Sequence, residues 1–320
     1  MESQIVGNTP MVKIRYKYKD KQKYLYAKLE YYNLTGSIKD RMANYIITKA
    51  KQRGELKPGE PIVEATSGNT GIALAAIGAR ENHPVYIFMP DWVSKERVQI
   101  MQNYQATVKL FSAAQGGFRR CIQEASYYAE KIGGFWVNQF SNKDNIVAHY
   151  ETTGEEIIRQ IHEPIGGFIS GIGTGGTLMG VGRKIKKIHP EAQIVAIEPD
   201  KMPLLSKNRA IGTHKIEGIG DDFIPELVDR NMIDKVIVIN DEDAVNMTRL
   251  LSRKLGIGVG ISSGANFLGS VILNDRVENP VVTVFPDDNK KYLSTDIAQN
   301  VDNQDSYISN HIQLIGWETI

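Results

Sequence analysis

Short β-branched or apolar runs at residues 61–65, 85–89, 106–111, 167–170, 194–198, 235–239 and 281–285 alternate with longer amphipathic stretches at 95–104, 117–132, 150–161 and 241–255. A strand followed by a helix and then another strand brings the chain back to the end of the sheet it left, so the strands run parallel. The expected fold is therefore α/β, with open, twisted, mostly parallel sheets flanked by helices. At 320 residues the chain is long enough for two such domains.

No repeat of fixed period, low-complexity tract or long polar linker interrupts the pattern. The domain boundary is placed near "SNKDN", residues 141–145. An N-terminal domain then spans 1–144, with part of 1–40 joining the other domain, a C-terminal domain spans 145–300, and a tail covers 301–320. The tail is polar at first and then carries Ile312, Leu314, Ile315 and Trp317, a set that would dock on the body or on a partner.

Lysine plus arginine (38) nearly cancel aspartate plus glutamate (37), which argues against nucleic acid or an anionic membrane as partner. Cys121 is the only cysteine, so an intrachain disulfide and a cysteine-based zinc cluster are excluded, and no metal site is expected. In the helical-looking "RRCIQEASYYAEKI" this thiol reads as a small buried hydrophobe. "MESQIVGNTPMV" has no basic region leading into an apolar core, and the apolar run at 72–79 is too short to span a bilayer. Small-molecule chemistry in the cytoplasm is the class left.

Two strand-loop-helix units offer sites for an anion. In "EATSGNTGIALAA" the loop presents Thr66, Ser67, Asn69 and Thr70 at a helix N-terminus, more polar groups than a single cap needs. In "GFISGIGTGGTLMG" a glycine-rich loop, Gly171 to Thr177, lets the backbone fold closely around a phosphate. It lacks the Gly-Lys-Ser/Thr of a Walker loop. It does meet Gly-x-Gly-x-x-Gly, and Glu198 keeps a nicotinamide cofactor as a rival. A third Gly/Ser turn, "GIGVGISSGANFLG", and the isolated Lys39 in "NLTGSIKDRM" complete a set that pyridoxal 5′-phosphate would use in full, since it combines an aldehyde, a phosphate and a ring nitrogen.

The strings "VGNTPMV", "TGSIKDRM", "EATSGNTGIALA", "NQFSNKDNIVAHYETTGEEI", "GIGTGGTLMG", "IEP", "EGIG", "GISSGA" and "KKYLST" stand in one order over about residues 4 to 296. In this the chain resembles the cysteine synthase and cystathionine β-synthase family, fold type II of the pyridoxal phosphate enzymes, similar in architecture to the tryptophan synthase β chain. The resemblance implies that Lys39 forms the internal aldimine and carries the Cα proton. It implies that Asn69 bonds the ring hydroxyl, and that Thr66, Ser67, Asn69 and Thr70, with Gln139, hold the substrate α-carboxylate. Gly173, Thr174, Gly175, Gly176 and Thr177 match the phosphate cradle. Ser262 matches the serine facing the pyridine nitrogen, with Ser263 as its alternative.

The implied reaction is β-replacement through an aminoacrylate. The first reading is a cysteine synthase, O-acetylserine plus sulfide giving cysteine and acetate, in a homodimer with serine acetyltransferase as a candidate partner; cysteine-consuming release of hydrogen sulfide is the alternative. Two positions depart from the family pattern. Leu34 replaces the usual proline before Thr35. Asp221 and Asp222 in "EGIGDDFIPELVDR" stand where many cysteine synthases have Ala-Gly, and cystathionine β-synthases also carry aspartate at the second position.

Either carboxylate would serve as a base on water or a thiol, or else simply start a helix. With a base there, the enzyme would take cysteine as donor and release hydrogen sulfide, leaving serine or a thioether such as lanthionine or cystathionine. His149 in "AHYETTG" reads as bonded to neighbouring backbone rather than as a base, and the scattered methionines read as core. A silent binding paralogue would need a broken catalytic position, yet Lys39, Asn69 and Ser262 are all present.

Overall fold

In the computed structural model, which describes residues 5–295, 297 and 304–320, the chain opens on a hairpin of β1 (Met11–Tyr18) and β2 (Lys21–Leu29). Its turn residues Lys19 and Asp20 have φ of 49° and 60°. Two left-handed residues match the twist of the flanking strands, as a two-residue hairpin requires. The first sheet then follows α1 (Lys39–Gln52): β3 (Ile62–Ala65), α2 (Asn69–Glu81), β4 (Val85–Pro90), α3 (Lys95–Asn103), β5 (Thr107–Phe111), α4 (Gly117–Ile132) and β6 (Phe135–Trp136). Its four strands are parallel in the order β5-β4-β3-β6.

The chain crosses to the second sheet through α5 (Asp144–Ala148) and α6 (Gly154–Gln160), with a π-helical turn at His149–Thr153 between them. The helix expected at 150–161 is thus the latter part of a longer run that starts at Asp144 and widens by one residue per turn at its centre. Beyond it come β7 (Gly167–Gly171), α7 (Gly176–Ile188), β8 (Gln193–Pro199), α8 (Leu204–Lys207), β9 (Lys235–Ile239), α9 (Asp241–Leu255), α10 (Ile261–Asn274), β10 (Val281–Phe285) and β11 (Ile312–Thr319). The seven-stranded sheet has the order β11-β1-β2-β10-β7-β8-β9. From β2 to β9 it is parallel, whereas β1 and β11 run antiparallel at one edge. The hairpin therefore sits in the sheet of the C-terminal half, and the tail supplies its edge strand; tail residues 301–303 lie outside the described residues.

Each sheet buries both faces, which is why its strands read as near-continuous apolar runs. In the smaller sheet Ile62 and Ile87 pack with Ile72 and Met101, while Val63 and Phe88 point the other way onto Cys121 and Ala125 of α4. Cys121 is accordingly a core residue, its thiol pushed up to about 12 by burial. In the larger sheet Ile169 and Val195 face Leu268 of α10, and Phe168 and Ile194 face Leu178 and Val181 of α7.

The two residues after Lys39 are structural. Asp40 accepts from the Thr35 hydroxyl at 2.6 Å and from the Thr35 N–H at 2.9 Å, closing the turn before α1. Arg41 is buried and forks between Glu30 (2.6 and 2.9 Å) and Glu156 (2.7 and 2.8 Å). Burial alone would raise the Glu156 carboxyl, but hydrogen bonds from Arg41 overturn that and hold it at about 2. Arg41→Met leaves Glu30 and Glu156 buried with only Lys28 to offset them. It should cost about 3–5 kcal/mol, read as a lower denaturant midpoint at unchanged slope.

Strand order reverses once in each parallel set, between β3 and β6 and between β10 and β7. Crevices outside the carboxyl ends of strands at such reversals are where open α/β sheets bind ligands.

Candidate active site

The loops leaving β3, β6, β7 and β10 border one cleft between the sheets, with the start of α1 at its floor. One part is lined by Lys39, Thr66, Ser67, Asn69, Thr70, Arg97, Gln139 and Asp221. The adjoining part is lined by Gly173, Thr174, Gly175, Thr177, Ser262, Asp287 and Tyr292, with Lys39 and Asn69 common to both.

Lys39 is the first residue of α1, and the turn before it is pinned to the larger sheet by the Ile38 N–H donating to Pro286 O at 2.8 Å. Burial of its amine lowers the pKa, with the Asp287 and Asp221 carboxylates pulling the other way. The positive end of the α1 dipole adds to the lowering. An amine so placed is closer to the neutral, nucleophilic form than a surface lysine.

The loop after β3 delivers the free N–H groups at the start of α2 into the cleft. Gly68 has φ of 158° and lies against Arg97, whose Cδ would be 2.2 Å from any Cβ there. Thr66 Oγ1 accepts from the Gly68 N–H at 2.9 Å, and the Thr70 hydroxyl donates to Gln139 Oε1 at 2.7 Å. Gln139 Nε2 donates in turn to Ala65 O at 2.7 Å, and its N–H donates to Glu64 at 3.0 Å. Gln139 thus borders the cleft while bracing Thr70. Glu64 beneath it is raised to about 8 by burial, against the two backbone N–H groups it accepts.

At the loop after β7, glycine is required by close approach. A Cβ at Gly173 would lie 2.4 Å from Gly218 O, and one at Gly176 would lie 2.0 Å from Asn145 Oδ1. Asn145 donates to the Thr174 hydroxyl at 3.0 Å, and Thr177 Oγ1 meets His149 Nε2 at 3.3 Å. His149 was expected on neighbouring backbone; instead its Nδ1 meets the Thr153 hydroxyl at 2.9 Å, because the π-helical turn brings Thr153 over the ring. Burial, aided by Arg41 and Lys39, holds this imidazole well below its ordinary pKa. Gly176→Ala should therefore displace Asn145 and Thr174 together. A phosphate-bearing ligand held by this loop, as expected from the sequence, should then dissociate about tenfold more readily, as followed by fluorescence titration, for an overpacking cost of about 1–3 kcal/mol.

Of the paired serines, Ser262 borders the cleft, whereas Ser263 is fully buried. The paired aspartates also separate. Asp221 borders the cleft, and its carboxyl is raised to about 7 by burial and by Asp222, with Lys39 opposing. Asp222 is exposed at the mouth, where it accepts from Arg119 Nε at 2.8 Å.

Three residues escaped the sequence reading. Asp287 is buried, and its Oδ2 accepts from Asn69 Nδ2 at 2.8 Å and from the Tyr292 hydroxyl at 2.6 Å. Arg97 lies over the Tyr292 ring at 4.8 Å and pairs with Glu217. A carboxylate just past the carboxyl end of a predicted parallel strand was the available signal for Asp287.

The cleft thus combines an enclosed lysine, a glycine cradle at a helix N-terminus and two buried oxygens, Asn69 Oδ1 and Asp287 Oδ1, without a hydrogen-bond partner among the described residues. That set fits pyridoxal phosphate, and the sequence matches the family model described as pyridoxal-phosphate dependent enzyme over residues 2–287. The chain belongs to that family. Cysteine synthase of Staphylococcus aureus is 40% identical to this pyridoxal phosphate enzyme over 296 residues, 92% of this chain and 95% of the relative. A solved hydrogen sulfide-producing enzyme of Fusobacterium nucleatum is 45% identical, with a TM-score of 0.94 over 97% of this chain and 95% of its own. An Asp-to-Asn variant of that enzyme, solved with an α-aminoacrylate intermediate, superposes with a TM-score of 0.95 at the same identity and coverage. The fold is that of the fold type II enzymes, and the chemistry is pyridoxal phosphate-dependent β-replacement on an amino acid.

Proposed function

We propose that the enzyme consumes cysteine, replacing its Cβ thiol by water or by a second thiol and releasing hydrogen sulfide. Cysteine plus water gives serine and hydrogen sulfide; cysteine plus a thiol gives a thioether and hydrogen sulfide. The observation that carries this reading is Asp221, a carboxyl bordering the same cleft as Lys39 and raised to about 7. Water and thiols must lose a proton as they attack, so a base with a pKa near neutrality speeds them. Hydrosulfide already carries its negative charge and needs no base, and a carboxylate at that point repels it. The 45% identity to the sulfide-producing Fusobacterium enzyme supports the same reading.

Bound pyridoxal phosphate supplies an electron-withdrawing ring that makes the substrate Cα proton acidic. In this reading Lys39 would hold the cofactor, and its Nζ would take the Cα proton of the substrate. Thr66, Ser67, Asn69, Thr70 and the N–H groups of α2 bind the substrate carboxylate, with Gln139 fixing Thr70. Gly173 to Thr177 hold the phosphate, Asn69 the ring hydroxyl and Ser262 the ring nitrogen. Asp221 takes the proton of the incoming water or thiol.

Cysteine synthesis from O-acetylserine is the second reading, supported by the 40% identity to the Staphylococcus enzyme. A cytoplasmic homodimer, with serine acetyltransferase as partner if cysteine synthesis is the activity, is proposed from the family resemblance of the sequence alone. Incubation with cysteine alone separates the two readings. Sulfide appearing in an amount equal to serine plus thioether supports the proposal, and turnover only with O-acetylserine plus sulfide rejects it.

A further inference from the structure

Asp287 is an expensive residue to bury. A carboxylate in the interior is tolerated when hydrogen bonds satisfy it, yet only Oδ2 is satisfied here, and Oδ1 has no hydrogen-bond partner among the described residues. The fold nevertheless makes room for that oxygen, since a Cβ on Gly260 would lie 2.1 Å from it.

The position of Asp287 is as telling as its charge. It follows β10 at the reversal of strand order and touches Asn69 together with the residues two positions before Lys39 and Ser262; Asn69, Lys39 and Ser262 are all proposed to meet the cofactor. Its main chain bridges Ser37, two residues before Lys39. Its carbonyl accepts from the Gly260 N–H at 3.1 Å, two residues before Ser262. Its side chain holds Asn69, which belongs to the other sheet.

An amide NH₂ has two donors. Asp287 takes one, which fixes the rotation of the Asn69 side chain and leaves the second N–H and Oδ1 for a ligand in the cleft. Tyr292, bonded to the same carboxylate oxygen, is itself covered by Arg97 of α3, so the chain of contacts runs back into the smaller sheet.

We infer that Asp287 is a positioning residue for pyridoxal phosphate, acting through Asn69, and that it couples the substrate loop of the smaller sheet to the cofactor floor of the larger one. The inference rests on Asn69 contacting the cofactor ring, as proposed above. The test is a double-mutant cycle read by the dissociation constant of pyridoxal phosphate and by the position of the bound cofactor's visible band. Asn69→Ala and Asp287→Ala should each weaken binding by about tenfold or more, the worth of a hydrogen bond to a charged group. The double variant should be no weaker than Asn69→Ala alone.

Asp287→Asn keeps an acceptor oxygen, so it should recover most of the affinity while its visible band stays shifted by the loss of charge. It also provides the folding control, because its apo melting temperature should match wild type. Losses that add in the double variant overturn the coupling through Asn69. An Asp287→Asn band identical to wild type overturns the role of the charge. An Asn69→Ala variant with unchanged affinity and band overturns the contact on which both rest.

Discussion

Lys39→Ala is expected to abolish the visible band of the lysine-bound cofactor and to lower turnover by at least about 10³-fold, because in the proposed function one side chain serves as both cofactor attachment and proton carrier. Loss of folding would not explain this result. Burial lowers the pKa of Lys39, so the folded state holds the amine's proton less tightly than the unfolded chain does. The resulting penalty is absent above the ordinary lysine pKa and grows as the pH falls below it. At neutral pH the apo variant should therefore melt no lower than apo wild type. A visible band that survives in Lys39→Ala would mean that another amine holds the cofactor.

The second large effect belongs to Asp221. Only the ionised carboxylate is a base, and with a pKa of about 7 the ionised fraction rises roughly tenfold per pH unit below neutrality before levelling off. Sulfide release from cysteine should follow that curve. Asp221→Asn should lower the rate by about 10²–10⁴-fold and remove the rising limb. Asp222→Asn is the internal control. It breaks an exposed pair with Arg119, which is worth little, and removes one of the charges that raise Asp221, so the rate on the plateau should change by less than about threefold while the limb persists, moved to lower pH. An unchanged limb in Asp221→Asn would show that a different group titrates.

The strands β3, β4, β7, β8 and β10 were legible because nearly every residue of each is buried and helices separate them from the next strand, so local pattern and global fold agree; β6, two half-buried residues, left no such run. The hairpin carried a signal too: buried Val12, Ile14 and Tyr16 alternate with partly exposed Lys13, Arg15 and Lys17. What no local pattern specifies is its place in the sheet, because β2 pairs with β10 more than 250 residues later. The same holds for the site. Lys39, Asn69 and the glycine loop are each marked by their own turn chemistry. Asp221 and Asp222 are neighbours in sequence with nothing local to separate them, and only the packing sends one to the cleft and the other to the mouth. Asp287 lies 218 residues from the Asn69 it holds, so its partner emerges only when the two sheets meet.

The most direct test of the account compares two reactions in the same two proteins: sulfide release from cysteine, and cysteine formation from O-acetylserine plus sulfide, in wild type and in Asp221→Asn. The account predicts that wild type releases sulfide from cysteine, that the variant loses this activity, and that the variant keeps or improves on whatever O-acetylserine reaction wild type has. Equal loss of both activities, or sulfide release that survives the substitution, would contradict it.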